Sequence, residues 1–213
     1  MNGLVKLCGI ARAEDVGAAV AAGADALGFI FWPKSPRAVS PENVAAWTQS
    51  GFPNGVLKVG VFVNQSVEAV RHIMEIAGLD VAQLHGDENA DYVRALDRRA
   101  WKAVHLDRVP ADLAEMPVEA VLVDSGTVKM PGGTGHRVDT DRAAAFVRQS
   151  PHPVLLAGGL TPENVAEAIC IVRPAGVDVS SGICLADSVA KDGAGMRAFV
   201  QSARQSIAVP PIL

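Results

Sequence analysis

The sequence predicts an α/β fold, a single-domain (β/α)8 TIM barrel with a short fifth helix, and three observations carry that expectation. Apolar runs of strand length alternate with helix-length segments eight times along the chain, the pattern of parallel βα units. The series fits within 213 residues, with no linker or shift in composition to divide it. No G-x-G-x-x-G turn follows the first strand, as it more often does in an open dinucleotide-binding sheet.

The first strand, residues 5–8, ends at Cys8, and Gly9 opens the turn toward a helix over 13–22. Later strands are expected at 26–31, 57–63, 81–84, 102–106, 120–123, 154–157 and 177–179. Helices are expected at 41–50, 67–77, 90–96, 111–116, 140–149, 162–172 and 195–206. Ser40 before Pro41, and Thr161 before Pro162, read as N-caps followed by proline at the first helical position. Glycine follows the first helix at Gly23 and the third at Gly78, as suits helix ends. The fifth helix is short and stopped by Pro117, and residues 207–213 form a tail that Pro210 and Pro211 keep from being helical.

Composition narrows the function. Apolar residues make up 49% of the chain and charged residues 20%, the balance of a globular domain. A net charge of −4 with no cationic run argues against a nucleic-acid partner. The three cysteines, Cys8, Cys170 and Cys184, are widely spaced, so neither a disulfide framework nor a cysteine-based metal site is indicated. A reducing cytoplasm suits them. The start of the chain lacks the features of a secretory signal, and Asp25 interrupts the most apolar segment, so no membrane span is expected.

In a barrel, chemistry sits at the C-terminal ends of the strands and in the loops beyond them. Three such loops are rich in glycine or serine: Gly132-Gly133-Thr134-Gly135, Gly158-Gly159-Leu160 and Ser180-Ser181-Gly182. Their backbone N–H groups could approach an anion closely, which points to a phosphorylated small-molecule substrate. Any one of them could equally be a tight turn. Strand alternation puts Gln83 and His85 on one face, and Arg37 carries a guanidinium that could fork onto a carboxylate or phosphate. A lone interior histidine is more often scaffold than acid or base, and a loop arginine more often surface. Alternation also places Lys6 and Cys8 on one face of strand one, beside strand eight with Asp178. An interior Lys6–Asp178 pair follows, whose ammonium would favour a Cys8 thiolate.

Lys6-Leu7-Cys8-Gly9-Ile10, Gly23-Ala24-Asp25, Ser35-Pro36-Arg37, Gln83-Leu84-His85-Gly86-Asp87-Glu88, Gly132-Gly133-Thr134-Gly135, Ala157-Gly158-Gly159-Leu160 and Val177-Asp178-Val179-Ser180-Ser181-Gly182 occur in one order. Together they resemble the phosphoribosylanthranilate isomerase family, from strand one to Lys191-Asp192. The resemblance implies a tryptophan-pathway Amadori rearrangement of N-(5-phosphoribosyl)anthranilate, without metal or organic cofactor. It implies Asp124 as general acid on the furanose ring oxygen and Cys8 as general base at C2. Arg37 would hold the anthranilate carboxylate, with Gln83, His85 and Asp178 as further substrate contacts. Gly133, Thr134, Gly135, Gly158, Gly159, Ser180, Ser181 and Gly182 would hold the phosphate. The assembly would be a monomer or homodimer, with no membrane or nucleic-acid partner.

Two places depart from the family's pattern. An acidic residue usually stands where this chain has Cys184, and aromatic residues where it has Val138 and Thr140. These changes bear on loops six and eight and spare Cys8, Asp124 and Arg37. Two rival readings remain open: a histidine-pathway aminoaldose isomerase, which normally has a carboxylate at the position of Cys8, and a barrel that binds a phosphorylated metabolite without turnover.

Overall fold

Eight parallel strands close into a barrel in sequence order, β1 pairing with both β2 and β8. This computed structural model describes residues 3–49, 51–124 and 139–207. The strands are β1 (Leu4–Cys8), β2 (Ala26–Ile30), β3 (Leu57–Phe62), β4 (Val81–Leu84), β5 (Ala100–His105), β6 (Ala120–Asp124), β7 (Val154–Leu156) and β8 (Gly176–Val179). The helices are α1 (Ala13–Ala21), α2 (Pro41–Thr48), α3 (Val67–Ala77), α4 (Ala90–Leu96), α5 (Thr140–Gln149), α6 (Val165–Val172) and α7 (Gly193–Ile207).

Two cores follow from strand alternation. One fills the barrel and includes Leu4, Ala26, Val59, Val81, Trp101 and Leu122. The other, with Val5, Leu7, Phe29 and Phe62 among its members, packs the strands against the surrounding helices. Lys6, Cys8, Gln83, Asp124 and Asp178 share the parity of the first set, so they project into the barrel above its apolar floor.

Local chemistry fixes the helix ends. Ser40 Oγ accepts from the Asn43 N–H with Pro41 opening α2, and Ser66 Oγ accepts from the Ala69 N–H at the start of α3. Gly78 ends α3 at φ 61°, a left-handed conformation that glycine takes without a Cβ penalty. α7 returns to the barrel floor, where Arg204 donates to the Gly3 carbonyl and pairs with Asp25 at 2.6 Å. The other Asp25 oxygen accepts from the Val5 N–H.

Two expectations need correction. The short fifth helix is a single 3₁₀ turn, Leu113–Glu115, held between Pro110 and Pro117. The Asp112 carboxylate accepts from the Ala90 N–H at 2.8 Å and so ties this segment to the start of α4. Thr161 does not cap α6 as expected. Its own N–H donates to Asn164 Oδ1 at 2.9 Å, so 162–164 form a turn before the helix. α2 ends at Thr48, and position 50, the far end of its expected span, lies outside the described residues, as do the loop 125–138 and the tail 208–213. No helix among the described residues is long and apolar enough to cross a membrane.

Candidate active site

Cys8 and Asp124 both end strands that present them to the barrel interior, and both are buried. Cys8 is in register with Gly28, and a Cβ built on that glycine would lie 2.6 Å from Cys8 Sγ and 3.0 Å from Lys6 Nζ. The thiol and the ammonium therefore fill the space above a residue that has no side chain. Asp124 is in register with His105, and its Oδ2 lies 3.4 Å from His85 Nε2.

The pairing of β1 with β8 sets Lys6 beside Asp178, Nζ 2.8 Å from Oδ1, as alternation predicts. Burial pulls the Lys6 ammonium down, but Asp178 and then Cys8 outweigh it, and Lys6 is held above its ordinary pKa. The net effect on Cys8 differs from the expected thiolate stabilisation. Burial pushes its thiol above the usual range, Lys6 opposes the shift, and Asp178 adds to it. The ammonium acts in the anticipated direction; desolvation of the thiolate is the larger effect.

Gln83 is almost wholly buried, beneath His85, and its amide nitrogen lies 3.5 Å from His85 Nδ1. Arg37 reaches the other side of the mouth. Gly9 takes φ +72°, and a Cβ there would come within 2.8 Å of both Arg37 Cδ and Ser180 Oγ. The chain from Cys8 into its loop is thus pressed directly under the arginine.

The last two loops meet. Gly158 and Gly159 have φ of 89° and 62°, and Asn164 Nδ2 donates to the Gly159 carbonyl at 2.9 Å. A Cβ on Gly182 would collide with the Leu160 carbonyl oxygen, so 180–182 lie directly against loop seven. Gly158, Gly159, Ser180, Ser181 and Gly182 therefore come together, while Gly133, Thr134, Gly135 and Val138 lie outside the described residues. Thr140 opens α5 and lines a groove with Gly158, Gly159 and Asn164.

One residue escaped sequence reading. The Lys191 ammonium donates to the Ser180 carbonyl at 2.8 Å and to Cys184 Sγ at 3.5 Å, and Arg37 Nη2 approaches the same sulfur at 3.9 Å. Its only signal was a lysine just past the last strand's loop. The antiparallel bridge between Cys184 and Lys191 brings it back to the mouth. Among the described residues, no group of three or more His, Cys, Asp or Glu could hold a metal ion.

The chain matches the family model for N-(5'-phosphoribosyl)anthranilate isomerase over residues 5–202. It is 44% identical to the N-(5'-phosphoribosyl)anthranilate isomerase of Solibacter usitatus over 209 residues, 96% of this chain and 98% of that one. The fold is similar to the phosphoribosylanthranilate isomerase of Thermus thermophilus, with a TM-score of 0.85 and 35% identity over 95% of this chain and 98% of that one. Two further isomerase structures each match 96% of this chain and all of theirs, with TM-score 0.80 and 33% identity. One is of monomers generated from the dimeric Thermotoga maritima protein. The other holds reduced 1-(o-carboxyphenylamino)-1-deoxyribulose 5-phosphate.

Proposed function

The chain belongs to the N-(5'-phosphoribosyl)anthranilate isomerase family, and from that membership we propose that Cys8 is its general base and Asp124 its general acid. It is an isomerase of tryptophan biosynthesis, converting the aminoaldose N-(5-phosphoribosyl)anthranilate to 1-(2-carboxyphenylamino)-1-deoxyribulose 5-phosphate. Asp124 gives a proton to the furanose ring oxygen, the C1–O bond breaks, and a Schiff base forms with the anilino nitrogen. Cys8, as thiolate, takes the C2 proton to leave an enolamine, which tautomerises to the ketone.

The observation that carries this assignment is the placement of Cys8 and Asp124 at inward-facing strand ends, beside the paired loops seven and eight. Loops seven and eight hold the phosphate through backbone N–H groups, and the family resemblance assigns Gly133, Thr134 and Gly135 to the same anion. Arg37 takes the aryl carboxylate. His85, 3.4 Å from Asp124, contacts the ring-opening end of the substrate, and Gln83 acts beneath it. Asp178 meets a sugar hydroxyl while holding Lys6. The chain works as one domain in the cytoplasm. A dimeric relative from which monomers were made supports either a monomer or a homodimer.

The test is turnover of freshly generated phosphoribosylanthranilate by Cys8→Ser and Asp124→Asn. Each variant is expected to lose about 10²–10⁴-fold in rate, while still binding the reduced product analogue. Parent-like turnover in either one removes that residue from the mechanism.

A further inference from the structure

A buried ammonium normally faces a carboxylate, because an unpaired charge taken out of water is strongly destabilising. Lys191 is only 4% exposed, yet its Nζ contacts a carbonyl and a thiol. The nearby Asp15 carboxylate is engaged elsewhere: it pairs with Arg12 at 2.7 Å and accepts from the Lys191 backbone N–H, not the ammonium. Asp192 caps the Ala194 N–H. Cys184 lies between the two cations of the mouth, with Lys191 Nζ at 3.5 Å and Arg37 Nη2 at 3.9 Å. The Nζ is also 3.6 Å from a Cβ built on Gly9, the same point that Arg37 Cδ approaches to 2.8 Å.

We propose that Lys191 is a second cation, beside Arg37, for the carboxylate on the aryl ring of the substrate. The inference rests on the isomerase reading above and goes one residue beyond it. With a thiol at position 184, no carboxylate among the described residues contacts Lys191 Nζ or Arg37 Nη2, so the negative charge that suits this pair arrives with the ligand. Burial holds the Lys191 ammonium below its ordinary pKa, with Arg37 adding to that shift and the two nearby cysteines opposing it. An incoming carboxylate would relieve the same strain. Lys191 also fixes loop eight through the Ser180 carbonyl, so a purely structural role must be separated from a role in charge recognition.

Calorimetry with two probes makes that separation: the reduced product analogue, and its counterpart lacking the ring carboxylate. Lys191→Met is expected to weaken the carboxylated probe by about tenfold or more and to leave the other within about twofold. Cys184→Glu, which keeps the lysine and supplies an internal competitor, should weaken the carboxylated probe selectively as well. Equal weakening of both probes in Lys191→Met would show a loop-holding role and overturn the proposal. So would unchanged affinity for the carboxylated probe in either variant. A parent protein that binds neither probe would overturn the isomerase reading itself, and this inference with it.

Discussion

The Cys8 thiol occupies the space that a side chain on Gly28 would need: the added Cβ would stand 2.6 Å from Sγ and 3.1 Å from the Cys8 Cα. Neither position can yield easily, since the backbone contact adds to the sulfur contact and Lys6 Nζ closes the third side at 3.0 Å. Gly28→Ala is therefore expected to displace the thiol. Overpacking of this kind costs about 1–3 kcal/mol, and turnover should fall by more than stability alone explains. Urea denaturation read beside kcat checks this, and parent-like kcat would contradict it.

Cys8 titrates under two opposed neighbours. Lys6→Met removes the group that favours the thiolate and should move its pKa further up; Asp178→Asn removes a group that disfavours it and should move the pKa down. The pH dependence of iodoacetamide alkylation reads both. In the parent, alkylation should gain most of its rate above the usual thiol range of about 8.5. Because the folded protein keeps this thiol protonated where the unfolded chain would ionise, its contribution to stability is full below that pH and is lost as pH rises through the folded value.

Loop eight should govern affinity. Gly182→Ala would drive its Cβ into the Leu160 carbonyl and separate the two loops assigned to the phosphate. KM for the phosphorylated substrate is expected to rise by about tenfold or more, with a smaller change in kcat. Unchanged KM would remove loop eight from the phosphate site.

Beside the mouth, Glu88 and Lys102 form a buried pair at 2.8 Å. The same carboxylate accepts from the Gly86 and Asn64 N–H groups, at 2.9 and 2.8 Å. Lys102→Met leaves that charge without its counterion and should destabilise by about 3–5 kcal/mol. The exposed Arg94–Asp91 pair is a control, its removal costing about 0–1 kcal/mol. Equal effects at the two pairs would show that burial does not set their strength.

Much of this was legible in the residues. Most strands are readable as short apolar runs closed by polar or glycine residues, and the Lys6–Asp178 contact follows from parity on neighbouring strands. The fifth helix misled because its composition is helical, while the two flanking prolines leave room for only one turn. Thr161 misled because a cap is recognised by residue type, and here the neighbouring Asn164 accepts from its backbone instead. Lys191 was hidden for a different reason. Its partners are a backbone carbonyl and a thiol, set by the path of a loop, and no pattern of charge or spacing announces such contacts.

The seam between β1 and β8 also has a consequence for how the protein is made. Lys6 and Asp178 are 172 residues apart in sequence. At about 5–20 residues per second, a ribosome needs roughly ten to thirty seconds to supply the lysine's partner. Throughout that interval, the strand bearing Cys8 lacks both its second neighbour and the counterion that makes its burial tolerable. The β1–β8 seam therefore closes only near the end of synthesis, and catalytic competence waits for the last strand and for the loop eight residues that follow it.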